Sequence, residues 1–134
     1  VILVDTNVLL DVLTNDARWA DWSQHQLEMA VLVDRIAINA VVYAELSSRY
    51  RHIDDLETAL GLVGVDVIEI SRAALFLAGK AFRTYRERGG TKTGVLPDFF
   101  IGAHAAVSAI PLLTRDTTRY RSYFPTVQLI APEA

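Results

Sequence analysis

The chain has 134 residues, 51% of them hydrophobic and 22% charged, with a formal net charge of −3 and no cysteine. That composition describes one folded domain over residues 1–134 with a substantial core, and excludes an intrinsically disordered chain. Disulfides, thiolate metal sites and cysteine nucleophiles are excluded within it, and the acidic balance argues against a general basic coat for nucleic acid.

In chain order, Val1-Ile2-Leu3-Val4 is a continuous apolar run, the pattern of a strand buried on both faces. A helical stretch with Trp19, Trp22, Gln26 and Met29 follows, and Arg35–Asn39 reads as a second short strand. Residues 40–50 and 53–62 read as helices, and Val65–Ile70 as a third strand with Ser71 as the N-cap of the next element. That element is the clearest helix: Ala74, Leu75, Ala78, Ala81, Phe82 and Tyr85 recur at helical spacing, and Gly89-Gly90 supplies the stop. After a Gly/Thr loop to Pro97, residues 97–109 read as helix, Pro111–Thr114 as a fourth strand and Val127–Ile130 as a fifth. Strands alternating with helices imply an α/β fold with a mostly parallel sheet covered on both faces.

The stretch from Phe99 to Leu113 carries His104, Ser108 and Pro111 and falls short of the about 20 apolar residues that span a bilayer. No signal-type segment opens the chain. It begins without Met on a strand-like run, as expected of a processed or trimmed start, and the expected compartment is the cytoplasm.

Four acidic residues stand out. Asp5 closes the first apolar run, Glu45 interrupts Ala40–Ala44 and Leu46, Asp98 opens Phe99-Phe100-Ile101, and Asp116 follows the fourth strand. Carboxylates in apolar surroundings are costly unless something positive compensates them. Ligands of parallel sheets bind outside the carboxyl ends of the strands, where strand order reverses, so Asp5 and Asp116 meet if their strands are neighbours. Two carboxylates 4 Å apart repel by about 4 kcal/mol at an effective dielectric of 20. A converged cluster therefore awaits a cation, and Mg²⁺ or Mn²⁺ suits oxygen ligands of this kind. The chemistry best matched to it is phosphodiester hydrolysis. Each residue also has a plainer role: Asp5 in a turn, Glu45 on an exposed helix face, Asp98 at a helix start, Asp116 capping a short final turn.

Together, Val1–Leu10 with Asp5-Thr6-Asn7, Glu45 within Val42–Leu46, Leu96–Ala105 around Asp98, and Leu113–Tyr120 around Asp116 resemble the PIN-domain family, in particular its VapC-like toxins. The resemblance covers essentially the whole chain. It implies a three-layer α/β/α sandwich and a Mg²⁺- or Mn²⁺-dependent endoribonuclease acting on RNA. By motif position, Asp5, Asp98 and Asp116 would bind metal, with Glu45 ligating directly or through water, while Thr6, Asn7 and Thr114 would orient ligands or the attacking water. A homodimer and a small antitoxin partner are also implied.

Other residues carry weaker signals. His104 is expected in a core-packing or hydrogen-bonding role, Gly102 in a close approach, and His25 and His52 in solvent. Lys80, Arg83, Arg86, Arg88 and Lys92, and separately Arg115, Arg119 and Arg121, are candidates for an RNA backbone, against the plainer reading of a solvated helix face. Trp19 and Trp22 suit either core packing or a partner surface. Three competing readings remain open: a PIN-fold nuclease without a toxin role, a non-catalytic module whose acidic pocket receives basic partner residues, and, more remotely, an aspartyl-phosphate protein.

Overall fold

A computed structural model describes residues 1–133. Among them, β1 (Ile2–Val4), β2 (Ile36–Ile38), β3 (Val65–Val67), β4 (Leu112–Leu113) and β5 (Leu129–Ile130) form one sheet in the order β3-β2-β1-β4-β5, with every neighbouring pair parallel. Consecutive residues of β1, β2 and β4 are all buried, which requires cover on both faces of the sheet. The cover is helical: α1 (Thr6–Leu13), α2 (Ala20–Val33), α3 (Ala40–Ser47), α4 (Ile53–Val63), α5 (Arg72–Glu87), α6 (Leu96–Ser108) and α7 (Thr118–Tyr123). The chain steps from β1 outward to β3 and then returns across the sheet to β4 and β5. Right-handed crossovers in opposite directions place the first four helices on one face and the last three on the other. Accordingly α1 packs on α2 and α3 on α4, while α6 packs on α5 and α7; α3 also meets α6, beside the pocket where Glu45 and Leu96 lie. This is the α/β/α sandwich expected. No helix among the described residues is long and apolar enough to cross a membrane.

Local chemistry explains most boundaries. Asn39 starts α3, its Oδ1 accepting from the amides of Val41 and Val42 at 3.1 Å, and Ser71 Oγ accepts from Ala74 N at the start of α5. Gly89, at φ +89°, takes the left-handed turn that ends α5. A Cβ on Gly102 would collide with the Phe124 ring, so glycine is what lets α6 approach the segment after α7.

Three expectations are corrected. The helix expected over 40–50 stops at Ser47, and Val127–Ile130 pairs only through Leu129 and Ile130. The strand expected over Val65–Ile70 ends at Val67, because its sole neighbour β2 ends at Ile38, where Asn39 turns the chain into α3. Two elements had no expectation set for them: α1, which follows β1 with only Asp5 between them, and the six-residue α7 after Asp116.

Candidate active site

The reversal of strand order falls between β1 and β4, and the residues leaving those two parallel strands form the site. Asp5 sits at the N-cap position of α1 with extended backbone, yet its side chain makes no capping bond. It turns instead toward β4 and α7. Its Oδ2 accepts from Thr114 Oγ1 and Tyr120 OH, each at 2.8 Å, and from Asn7 Nδ2 at 3.4 Å. All three donors are neutral. At 4% exposure, burial dominates and pushes the Asp5 carboxyl up to about 6; the Tyr120 and Thr114 hydroxyls oppose the shift and the nearby Asp98 adds to it. The folded chain thus holds a buried carboxylate at the strand ends with nothing positive bonded to it.

Asp98 lies close enough to Asp5 to act on its charge, and Asp116 and Glu45 lie close enough to act on Asp98. Asp98, in the first turn of α6, is raised by burial and by repulsion from Asp116 and Glu45, against the pull of Arg119, whose Nη1 donates to Asp98 Oδ2 at 2.8 Å. Glu45 on α3 is half-buried, and its Oε1 accepts from Thr6 Oγ1 at 2.7 Å. Asp116 is exposed and joins the network through its backbone: its amide donates to Thr114 Oγ1 at 3.1 Å. Thr114 has one hydroxyl proton, and the Asp5 carboxylate at 2.8 Å is a better acceptor for it than the Asp116 carbonyl at 3.1 Å. Asn7 completes the frame, its Nδ2 donating to Thr114 Oγ1 and its Oδ1 accepting from Arg115 N, both at 3.3 Å.

The sheet and helices therefore bring Asp5, Glu45, Asp98 and Asp116 to one end of the molecule, with Thr6, Asn7 and Thr114 bonded among them. The donor set is carboxylate and hydroxyl oxygen, which fits a hard divalent cation, and the uncompensated Asp5 is the group such a cation would satisfy. Among the described residues no three acidic or histidine side chains already stand as a metal-holding group; Asp98 is engaged by Arg119.

Tyr120 and Asp11 acquire roles that the sequence did not suggest, and Arg119, a candidate there for an RNA backbone, holds Asp98. Tyr120 lay inside the last motif, but its hydroxyl's aim at Asp5 depends on α7. Asp11, at 2% exposure, is held by Arg115 through Nε at 2.8 Å and Nη2 at 3.0 Å and by Ser23 Oγ at 2.7 Å. The periodic placement of Asp11 on an apolar helix was the available signal for burial.

The remaining expectations divide. His104 is buried, with Nδ1 at 3.2 Å from Asn39 Nδ2, and burial holds its pKa below the ordinary value; it is the core histidine expected. His25 and His52 are exposed. On α5, Lys80 lies over Phe76, Arg86 over Phe82, and Arg83 pairs with Glu87, while Arg88 lies over Tyr123 of α7. Trp19 and Trp22 meet edge to face at 6.0 Å; Trp22 packs against the core, while Trp19 lies under Arg18 and Arg115.

A family model described as the PIN domain matches residues 2–124. Among solved structures, the chain is similar to one from the VapBC2 complex of Rickettsia felis bound to a promoter DNA fragment, with TM-score 0.72, 20% identity and 97% of each chain covered. It is also similar to a chain of the toxin–antitoxin complex from Klebsiella pneumoniae, with TM-score 0.62, 24% identity, and 99% of this chain and 98% of that one covered. A third likeness is to VapBC-1 from nontypeable Haemophilus influenzae, with TM-score 0.71, 19% identity, and 97% and 96% covered. No curated relative matches the sequence.

Proposed function

This chain belongs to the PIN-domain family, and from that premise we propose that it is a Mg²⁺- or Mn²⁺-dependent endoribonuclease, the toxin of a toxin–antitoxin pair. One observation carries the reading: Asp5 is buried at the strand-order reversal, bonded only by neutral donors, with Asp98, Asp116 and Glu45 close by. A carboxyl left this way weakens the fold, and the arrangement makes physical sense as a receptor for a cation.

In this reading Asp5, Asp98 and Asp116 hold the cation and Glu45 ligates it directly or through water. When bound, the cation polarises a phosphoryl oxygen and lowers the pKa of a bound water. The protein's part is positioning. Thr114 and Tyr120 fix Asp5 Oδ2, which leaves Oδ1 without a side-chain donor, and Thr6 fixes one oxygen of Glu45. Asn7 ties Asp5, Thr114 and the Arg115 backbone into one frame, so that the ends of β1 and β4 move as a unit. Similarity to chains of toxin–antitoxin complexes supports a small antitoxin partner; a homodimer and a cytoplasmic setting belong to the same proposal.

The test is cleavage of total cellular RNA in Mn²⁺ by the purified chain freed of any partner, with the cut sites mapped. Cleavage is expected to vanish in excess EDTA and in Asp5→Asn while the fold persists. Full activity under either condition would refute the mechanism. A second reading is favoured by the Arg119–Asp98 pair, in which the pocket already receives a guanidinium: a non-catalytic module that binds basic partner residues. It predicts tight partner binding and no rise in melting temperature with metal.

A further inference from the structure

We propose that Arg119 is an exchangeable internal counter-ion: it holds Asp98 in the metal-free protein, yields that carboxylate to an arriving divalent cation, and then pairs with a phosphate of the nucleic-acid substrate. This inference rests on the metal-dependent reading of the site. Among the described residues Arg119 is the one basic side chain paired with any of the four clustered acids. It lies on α7, next to Tyr120, so the same helix that orients Asp5 also delivers a positive charge to Asp98.

The manner of its attachment marks it as exchangeable. Arg115, the other arginine close to the acids in sequence, is locked: two of its nitrogens reach both oxygens of Asp11. Arg119 makes a single contact, Nη1 to Asp98 Oδ2, while its guanidinium also lies over the Tyr85 ring, 5.7 Å from the centroid. Tyr85 therefore offers a second seat when Asp98 turns away. Asp98 feels repulsion from Asp116 and Glu45, and Arg119 is the charge that opposes it. A divalent cation shared among several acids neutralises more of that repulsion than one guanidinium bonded to one oxygen. Once displaced, a planar fork with its donors free and partly open to solvent matches a phosphate. The exchange would thus couple filling of the metal site to readiness for substrate.

The test compares wild type, Arg119→Gln and Arg119→Lys as metal-stripped full chains. Mn²⁺ binding is measured by calorimetry, melting temperature in EDTA and in saturating Mn²⁺, and KM and kcat on an RNA oligonucleotide. Removing the competing charge is expected to tighten Mn²⁺ binding about fivefold in Arg119→Gln, with Arg119→Lys within about twofold of wild type. Arg119→Gln should melt lower than wild type in EDTA and regain the difference in Mn²⁺. Its KM should rise about tenfold with kcat changed less than about threefold. The inference is overturned if Arg119→Gln binds Mn²⁺ no tighter than wild type, if it loses the same melting temperature with and without Mn²⁺, or if its KM is unchanged. Binding of Mn²⁺ by the wild type separately tests the metal reading: if neither protein binds it, that reading falls and this inference with it.

Discussion

Helix α1 and its N-cap carry two buried carboxylates, Asp5 and Asp11, and the chain treats them in opposite ways. Asp11 is met by a bidentate arginine and a serine hydroxyl. Asp5 is met by two hydroxyls and an amide, with no cation, and its carboxyl is pushed up to about 6. Burial alone therefore does not separate structural from functional acids; compensation does. Asp11 with Arg115 ties α1 to the segment after β4 and is complete as it stands. Asp5 has no charged partner, and in the proposed function a cation supplies the positive charge.

Substitution should separate the two sites sharply. Asp5→Asn is expected to lower cleavage by roughly a thousandfold or more, on the order of 4 kcal/mol in the barrier, while Asp11→Asn is not expected to remove the catalytic centre. Stability should move the other way. The folded Asp5 carboxyl lies above its unfolded value of 3.8, so stability is fully present below pH 3.8 and is lost as pH rises through about 6. Metal-free Asp5→Asn should accordingly be more stable than wild type at pH 7 by about 1–3 kcal/mol, and its stability should lose the fall between those two pH values. Asp11→Ala should lose about 2–4 kcal/mol at all neutral pH values, because Arg115 is left without its partner. Urea denaturation of the metal-free proteins across pH 4 to 8 checks both signs.

A smaller effect probes the neutral donors. Tyr120→Phe removes one hydroxyl from Asp5 and should cost about 1 kcal/mol at pH 7, raise the Asp5 titration midpoint further, and reduce cleavage by less than Asp5→Asn does. Chemical-denaturation curves and RNA cleavage rates measured side by side would show whether the phenol acts through Asp5. A loss of stability with no change in the Asp5 midpoint would make Tyr120 a packing residue only.

How far the sequence reveals this contrast follows from the range over which each cause acts. Period-two and continuous apolar runs marked β1, β2 and β4, and helical spacing marked α5, because these patterns are local. Helix α1 was legible but unread: Asp5 is a favoured N-cap residue type and Val8, Leu9 and Val12 fall at helical spacing, yet the reading of Asp5 stops at the strand it closes. The four acids could be picked out one at a time as charges in apolar settings, and the resemblance of their motifs tied them together. Their surroundings were beyond reach. Arg119 lies 21 positions from Asp98 and Tyr120 lies 115 from Asp5, and only the seating of α7 against α6 and beside the end of β1 makes those pairs. The difference between Asp5 and Asp11 is likewise tertiary, since it turns on which side of α1 faces Arg115.

The most direct test is a ¹³C NMR titration of the Asp5 carboxyl in the metal-free protein, repeated with saturating Mg²⁺. A midpoint near 6 that falls well below the ordinary aspartate range when Mg²⁺ binds is the predicted result. A midpoint near 3.8 that Mg²⁺ leaves unmoved would mean that Asp5 is already satisfied by its neighbours and waits for no cation.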